Sequence, residues 1–222
     1  MPGNTAYDND GVTDWPAWAT EPVRVLPPDE AWLVRGERQC RRLDTVLAAY
    51  LLAPVEHVGS TAVPGLPAKP ILDLQAAVAD LGLAGDVAAL LGRDGWHYVP
   101  PELDNRPWRR FLVKVEGGHR VAHLHLLRLG HHRWHQQLVF RDALRNDLAL
   151  LRQYAALKAS LAAEHAEDRE AYTEGKAEFV AAVMRELTPE QARPSIVEPV
   201  DIIPAARWPA HRAADGNPAG AL

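Results

Sequence analysis

Cysteine, lysine and long apolar runs are scarce in this sequence of 222 residues. A single cysteine, Cys40, excludes an internal disulfide and a cysteine-rich zinc site. The longest apolar run, Val46 to Val55, is much shorter than the ~20 residues that cross a bilayer, so we expect no transmembrane segment. No basic stretch followed by an apolar one opens the chain, and with the lone cysteine this predicts a cytoplasmic protein.

Three common motifs of nucleotide-binding and hydrolytic enzymes are also absent. There is no Walker A lysine pattern and no Gly-x-Gly-x-x-Gly turn, and Ser60 lies in no Gly-x-Ser-x-Gly elbow. These absences exclude a P-loop NTPase, a dinucleotide-binding domain and an α/β-hydrolase. The helical pattern of the C-terminal third argues against a barrel-type metal hydrolase built on His123 and His125.

Composition divides the chain into three parts. The length favours one domain, which we place at 22–187, where acidic and basic residues balance. Residues 1–21 mix Gly, Asn, Asp and Pro without periodicity and predict a flexible arm, and residues 188–222 predict a tail rich in Pro and Ala. Three tryptophans in these end segments either cap a cleft or mediate a homodimer: Trp15, Trp18 and Trp208.

Hydrophobic periodicity predicts an alternation of helices and strands. Helices are expected over 29–51, 83–91, 132–144, 147–164 and 168–187. Strands are expected over 55–58, 71–78, 96–99, 109–115 and 120–129, the last two flanking the turn Gly117-Gly118 as a hairpin. Residues 61–70 read as a shaped loop or one short helix. This order predicts an α/β or α+β domain with a mixed sheet flanked by helices.

Basic residues are concentrated in one stretch of the body. Residues 103–152 carry ten Arg and Lys against four Asp and Glu. Such a local field suits a small phosphate-bearing ligand better than a long nucleic acid. The alternative is that these arginines are scattered over solvated faces.

The segment 57–73 carries the sharpest chemical pattern. Gly59 and Ser60 follow a strand, where backbone N–H groups and a hydroxyl can approach phosphate oxygens because glycine has no Cβ. Asp73 follows on a second strand, where a carboxylate can hold a divalent metal over the same phosphates. A Gly-Ser turn followed by a strand-borne Asp is the outline of the polymerase-β-like nucleotidyltransferases.

The residues of this segment are more specific than the superfamily outline. His-Val-Gly-Ser-Thr-Ala-Val-Pro-Gly-Leu, Ala-Lys-Pro and Ile-Leu-Asp resemble the GrpB family of nucleotidyltransferase-like proteins. The resemblance continues to the end of the body: Arg109-Arg110-Phe111, Lys114, His123-Leu124-His125-Leu126, Trp134, Phe140-Arg141-Asp142, Tyr154, Lys158, Asp168-Arg169-Glu170-Ala171-Tyr172, Lys176 and Phe179. It implies a nucleotidyltransferase-like sheet with C-terminal helices closing a cleft. It also implies transfer of a nucleoside monophosphate from a triphosphate such as ATP to a small-molecule acceptor.

The expected metal site departs from the superfamily pattern. Active nucleotidyltransferases of this type have a second carboxylate two residues after the first. Asp73 is the first carboxylate in this chain, and the second position is Gln75. The third position falls to His123 or His125, which share one strand face. We therefore expect Mg²⁺ or Mn²⁺ to be held by Asp73, Gln75 and His125, with His123 as a candidate base. The alternative for both histidines is a polar role on a hydrogen-bonded strand face.

The expected nucleotide-binding residues combine the Gly-Ser turn with cations and aromatic rings. Tyr154 and Tyr172 each lie one helical turn before a lysine, so each ring shares a face with an ammonium group. All four lysines of the chain fall in the segments of the resemblance, although arginine serves elsewhere and the two are not interchangeable at a phosphate site. The full set is His57, Gly59, Ser60, Thr61, Lys69, Arg110, Lys114, Arg141, Tyr154, Lys158, Tyr172 and Lys176. The alternative is that the two tyrosines serve in packing and that their lysines are solvated charges.

A second function remains open from the sequence. Proteins of the GrpB type also occur fused to dephospho-coenzyme A kinase, which implies a catalytically silent domain that acts as a binding or folding partner. The missing second carboxylate at Gln75 is compatible with that alternative.

Overall fold

The structure is a computed structural model that describes residues 16–19, 21–22, 24–165 and 168–188. Most of the predicted arm, and all of the predicted tail after residue 188, lie outside the described residues, and with them Trp15 and Trp208. Trp18 is described, and its ring centroid lies 5.5 Å from that of His97. No helix in the described ranges is both long enough and apolar enough to cross a membrane.

The described chain forms five strands and seven α-helices. The strands are β1 (Glu56–Val58), β2 (Leu72–Val78), β3 (Trp96–Val99), β4 (Arg109–Glu116) and β5 (His119–Arg128). The α-helices are α1 (Ala31–Val46), α2 (Ala84–Leu91), α3 (Pro101–Asp104), α4 (His132–Asn146), α5 (Leu148–Glu164), α6 (Arg169–Glu174) and α7 (Ala177–Glu186). Single 3-10 turns cover Ala17–Ala19, Ser60–Ala62, Leu81–Leu83 and Gly92–Asp94.

The strands form one mixed sheet in the order β1-β2-β5-β4-β3. Only β2 and β5 run parallel, and the other three pairs are antiparallel. Since strands next to each other along the chain form most pairs, local hairpins account for most of the sheet, and the β2–β5 pair closes it. The predicted α+β class with a mixed sheet between helices is confirmed.

One face of the sheet is covered by α1 and α2. Even-numbered residues of β2 point to this face, because side chains alternate along a strand. The core there contains Trp32, Leu43, Leu47, Leu72, Leu74, Val78, Val87, Leu91, Leu112, Leu124 and Leu126. The first helix ends at Val46, whereas the sequence predicted an end at Leu51. The predicted helix is too long because the apolar spacing continues through a turn in which the Tyr50 N–H bonds to Leu47 O.

The opposite face is only partly covered. Trp134 and Leu138 of α4 pack against Val58, Ala77 and Leu127 on it. Asp73, which pairs with Val58 across the first two strands, retains 36% of its side-chain exposure. This face therefore stays partly open at Asp73, next to the turn that follows β1.

Two elements at the helical end differ from the sequence prediction. The helix expected over 168–187 is broken into α6 and α7 at Gly175, where a Cβ would lie 2.5 Å from a methyl group of Leu161 in α5. The short helix α3 was not expected. The residue that follows it, Asn105, ends the helix with a φ of 54°. The hairpin turn at Gly117 and Gly118 is confirmed, with φ values of 58° and 81°.

Candidate functional site

The register of the sheet brings the predicted carboxylate and histidines onto one face. Asp73 of β2 lies opposite His123 of β5, and Gln75 lies opposite His125. Paired residues of adjacent strands share a face, so all four belong to the partly covered face. Phe111 of β4 lies opposite His125 on the same face, with ring centroids 5.0 Å from His123 and 5.1 Å from His125.

Asp73 is the centre of a small polar cluster. The Nδ1 atom of His123 donates to Asp73 Oδ1 at 2.9 Å, and His125 Nε2 lies 3.8 Å from the same oxygen. Burial works to raise the pKa of Asp73, but the hydrogen bonds and charges of the two histidines hold it well below its usual range. The predicted grouping of these three residues is therefore present, and Asp73 is ionised at neutral pH.

The backbone of Gly59 lies against the second oxygen of this carboxylate. Gly59 follows β1 with a φ of 70°, and Val58 before it pairs with Asp73. A Cβ on Gly59 would lie 2.6 Å from Asp73 Oδ2, which is closer than carbon and oxygen can approach. We call the space between Gly59 and Asp73 Oδ2 the glycine notch.

A buried ion pair supports the cluster from the side of β4. Arg109 donates from Nε to Asp104 Oδ2 at 2.8 Å and from a terminal nitrogen to His125 Nδ1 at 2.5 Å. Its guanidinium carbon lies 4.2 Å from the ring centroid of Phe111. Burial and the charge of Arg109 lower the pKa of His125 to about 4, although Asp73 works in the opposite direction. His125 is therefore neutral at pH 7.

Lys158 of α5 ties the closing helices to the Gly-Ser turn. Its Nζ donates to Ser60 Oγ at 3.1 Å and to the backbone oxygen of Pro67. Tyr154 lies one turn earlier, and its ring centroid lies 5.1 Å from Lys158 Nζ. Burial, and then the charge of Lys176, lower the pKa of Lys158 to about 7. The amine is thus close to losing its charge when no anion is present.

Two further lysines lie against one tyrosine ring. Lys69 Nζ and Lys176 Nζ lie 4.2 Å and 4.4 Å from the ring centroid of Tyr172. Burial lowers the pKa of Lys176, and the charge of Asp73 opposes that effect, so Lys176 lies within the field of the carboxylate. For Tyr172, burial and the charge of Asp73 act in the same direction and raise the pKa of the hydroxyl to about 12. Three of the four lysines therefore converge near Ser60 and Asp73.

The cluster fits one divalent ion, held mainly by Asp73. Asp73, His123 and His125 each offer a ligand atom within 4.8 Å of the others. Oδ1 already accepts a hydrogen bond, whereas Oδ2 faces the glycine notch. One carboxylate is too few for a two-ion site, so oxygen atoms of a bound phosphate would have to complete the coordination.

Gln75, predicted as a metal ligand, does not reach this position. Its side chain is fully buried, and its Nε2 donates to the backbone oxygen of Trp134 in α4 at 3.3 Å. Its Oε1 is buried without a hydrogen-bond partner among the described residues. Because α4 covers this part of the sheet, Gln75 is not available as a metal ligand beside Asp73.

Three residues predicted to bind phosphate are instead buried in structural contacts. His57 points to the opposite face, since it pairs with Leu74, and its Nε2 bonds to Thr61 Oγ1 at 2.9 Å. Arg141 bonds to Glu56 at 2.7 Å and to the backbone oxygen of His57 at 3.0 Å. These contacts position β1 and the turn that follows it and leave His57, Thr61 and Arg141 no open face for a ligand.

Two other predicted cations lie on the wrong side of the sheet. Arg110 pairs with Leu126, and Lys114 pairs with Ala122, so both point to the face covered by α1 and α2. Lys114 donates there to Gln39 of α1 at 3.4 Å and forms an ion pair with Glu116 at 2.8 Å. The prediction that they neutralise a triphosphate beside Asp73 is wrong.

Arg109 and Asp104 belong to the site's support but were not selected from the sequence. Strand alternation could have identified Arg109, because Arg109 and Phe111 lie two residues apart in β4 and point to the same face of the sheet. Arg110 points to the opposite face. Asp104 carried no signal, because it lies in the short helix α3, which the sequence did not predict. His131 caps α4 by accepting from Arg133 N–H.

Comparisons with known proteins agree with this architecture. The family model described as GrpB protein matches residues 22–186. A UPF0157 protein from Pseudomonas aeruginosa is 39% identical over 175 residues, which cover 73% of this chain and 66% of the relative. The crystal structure of conserved protein GrpB from Enterococcus faecalis has a TM-score of 0.65 at 28% identity and covers 76% of this chain and 97% of that one.

The chain is also similar to part of an enzyme. A dephospho-CoA kinase from Mycolicibacterium paratuberculosis is 38% identical over 81 residues, which is 35% of this chain and 20% of the kinase. The Pseudomonas relative is also longer than the part that this chain spans. These matches therefore identify a shared domain and leave the activity of the whole proteins as a separate question.

Proposed function

The chain belongs to the GrpB family, and we propose that it is a nucleotidyltransferase acting on a nucleoside triphosphate and a small-molecule acceptor. The single observation that carries the proposal is the convergence of Lys69, Lys158 and Lys176 on the edge of a cluster with one carboxylate. Ammonium groups gathered in one place attract an anion, because its charge offsets their mutual repulsion. A triphosphate is an anion of matching charge.

The proposed reaction is a nucleotidyl transfer. An acceptor hydroxyl, amine or carboxylate forms a bond to the α-phosphorus, the bond from that phosphorus to the bridging oxygen of the β-phosphate breaks, and pyrophosphate leaves. Catalysis of this kind requires positioning and charge stabilisation more than covalent chemistry by the protein. In this proposal Ser60, Lys69 and Lys176 bind the β- and γ-phosphates, while the buried Lys158 holds Ser60 Oγ by a hydrogen bond. Tyr172 or Tyr154 contacts the nucleoside, which requires the closing helices to move because both rings are buried.

Asp73 and His123 have distinct proposed tasks. Asp73 Oδ2, in the glycine notch, would hold one Mg²⁺ or Mn²⁺ ion, which when bound supplies positive charge to the phosphates. Because His123 donates from Nδ1 to Asp73, its Nε2 carries the lone pair, and this atom is buried with no hydrogen-bond partner among the described residues. Nε2 is the proposed base for the proton of the acceptor, and the acceptor has to reach it inside the site.

Calorimetry with each of the four nucleoside triphosphates and Mn²⁺ tests the proposal. We expect binding, and we expect Lys176→Met to weaken it by about tenfold or more through the loss of one ionic contact to phosphate. Lys114→Met is the matched control, since it removes the same group from the opposite face and should leave affinity unchanged. Failure of any triphosphate to bind at millimolar concentration, or equal effects of the two variants, would refute it.

Pyrophosphate release distinguishes catalysis from binding alone. We expect wild-type protein to release pyrophosphate from the triphosphate it binds when a mixture of small hydroxyl, amine and carboxylate acceptors is supplied. Asp73→Asn, which keeps the shape but removes the charge, should abolish release. Binding without any release would instead support the second candidate function.

That second candidate is a catalytically silent domain serving as a binding or folding partner. The burial of Gln75, which stands where active relatives of the superfamily have a second carboxylate, favours it, as does the match to part of a dephospho-CoA kinase. It predicts a stoichiometric complex with a partner protein whose formation is unchanged by Asp73→Asn.

A further inference from the structure

The orientation of the His125 ring is determined by Arg109. A guanidinium group has only hydrogen-bond donors, so Nδ1 of His125 must accept the bond that Arg109 donates to it. Arg109 has little freedom to move, because it is nine-tenths buried, forms two bonds to Asp104 and lies over Phe111. The donor is therefore held in place independently of the histidine.

A neutral imidazole whose Nδ1 accepts a hydrogen bond carries its proton on Nε2. Nε2 of His125 is the atom that faces Asp73 Oδ1, at 3.8 Å. We propose that His125 acts as an N–H donor toward Asp73 and its ligand and does not bind the metal, and that Arg109 is the positioning residue that imposes this tautomer. The proposal deepens the proposed function, since it defines which groups are left to hold the metal.

The contact to Arg109 is the reverse of what a metal-binding histidine requires. A histidine that binds a metal through Nε2 has its lone pair there and its proton on Nδ1, which it donates to a carboxylate, a carbonyl oxygen or water. A guanidinium at Nδ1 cannot accept that proton, and its charge repels a cation. The close spacing of Asp73, His123 and His125 therefore does not make a three-ligand site.

The tautomer leaves Asp73 with one oxygen for a ligand. Oδ1 faces two N–H groups, from His123 and His125, and only Oδ2 in the glycine notch remains. A divalent ion held by a single carboxylate binds weakly until phosphate oxygens complete its coordination. Metal and triphosphate should therefore bind cooperatively, each raising the affinity for the other by the same factor.

Nitrogen NMR of the wild-type protein tests the tautomer directly. We expect long-range ¹H–¹⁵N spectra at pH 7, without metal or nucleotide, to show His125 with a protonated Nε2 and an unprotonated Nδ1. A spectrum with the proton on Nδ1 would overturn the proposal. This result is independent of whether any nucleotide binds, so it separates failure of this proposal from failure of the proposed function.

A double variant tests the role given to Arg109. Arg109→Met with Asp104→Asn removes the guanidinium without leaving its carboxylate partner buried and charged. We expect the His125 proton to redistribute between its two nitrogens and the affinity for Mn²⁺ alone to rise. An unchanged tautomer in the folded double variant would show that Arg109 has only a structural role.

Metal binding provides the second readout. In calorimetric titrations with Mn²⁺ alone, we expect His125→Gln to leave the weak affinity unchanged and Asp73→Asn to abolish binding. A loss of about 10–100-fold in His125→Gln, the size expected when a metal-binding contact or its support is removed, would contradict the proposal. Pulsed EPR of Mn²⁺ bound to wild-type protein with a non-hydrolysable triphosphate should show no nitrogen coupling from His125, and such a coupling would also overturn it.

Discussion

Asp73 Oδ2 lies so close beneath the backbone of Gly59 that a Cβ on this glycine would approach it to 2.6 Å. Gly59 also has a φ of 70°, which side chains other than glycine rarely adopt. The residue thus meets two requirements at once, a backbone conformation and a close approach of the backbone to the carboxylate. Gly65 also has a positive φ, of 75°, but a Cβ there would meet nothing within 4 Å.

This contrast separates backbone strain from site geometry. We expect Gly65→Ala to lower the free energy of unfolding by about 1–2 kcal/mol, the cost of left-handed backbone, and to leave binding of the proposed nucleoside triphosphate unchanged. Gly59→Ala should cause at least that loss and also weaken triphosphate binding with Mn²⁺ by about tenfold or more, because the methyl group fills the glycine notch. Chemical denaturation and calorimetry on both variants provide the measurement. Equal triphosphate affinities would show that the notch is not part of the site.

Lys158 should make stability depend on pH. Its pKa is about 7 in the folded protein against 10.5 in the unfolded chain, so between these values the unfolded state holds a proton that the folded state lacks. The free energy of unfolding should therefore rise as the pH increases from 7 toward 10, by at most ~1.4 kcal/mol per pH unit from this group. Below pH 7 both states are protonated and the group contributes no slope.

Urea unfolding of wild type and Lys158→Met at pH 7 and pH 9 measures this contribution. The difference in stability between the two proteins should shift in favour of the wild type at the higher pH. Parallel behaviour of the two proteins would show that Lys158 retains its proton in the folded state.

Arg141 should prove structural. It is buried, with ion pairs to Glu56 and Asp142 at 2.7 Å each. Arg141→Met leaves those carboxylates without their cation and should lower the free energy of unfolding by about 3 kcal/mol. Arg185→Met, which removes an exposed pair with Glu178, should cost less than ~1 kcal/mol. If the folded Arg141 variant binds the proposed nucleoside triphosphate more weakly than wild type, the placement of Arg141 outside the site is contradicted.

The packing of α1 on His57 predicts opposite effects at two helical glycines. A Cβ on Gly36 would lie 2.1 Å from the His57 ring, so Gly36→Ala should destabilise the protein by about 2 kcal/mol through overpacking. Gly85 in α2 has open space, and Gly85→Ala should stabilise it by roughly 0.5–1 kcal/mol through helix propensity. Thermal unfolding of both variants gives the comparison, and a stable Gly36→Ala protein would mean that α1 does not pack on His57 this closely.

Most elements were predictable because their signals are local. The hairpin of β4 and β5 was expected from Gly117-Gly118 between two apolar stretches, and β3 was placed within its observed bounds. The break between α6 and α7 was not, because Gly175 is required by the approach of Leu161 from another helix. A contact between distant parts of the chain leaves no periodic trace in the sequence.

The candidate site was predicted in the same uneven way. Asp73, Gly59, Ser60 and the lysines of the closing helices were identified because a turn, a strand and a helical spacing each indicate a chemical task. Arg110, by contrast, was selected over Arg109, since both are basic and adjacent. Strand register decides between them, and a shift of one residue moves a side chain to the other face of the sheet.

By itself, then, the sequence determined the family, the α+β class and the carboxylate around which the site is built, because these follow from residue order and local pattern. Tertiary structure alone decided that Arg141 and His57 are buried supports, that Lys114 faces α1, and that Lys69 and Lys176 meet at Tyr172. It also decided that Arg109 bonds to His125. The physical reason is that charge, burial and hydrogen-bond direction depend on which residues meet across the sheet, and only the folded chain brings them together.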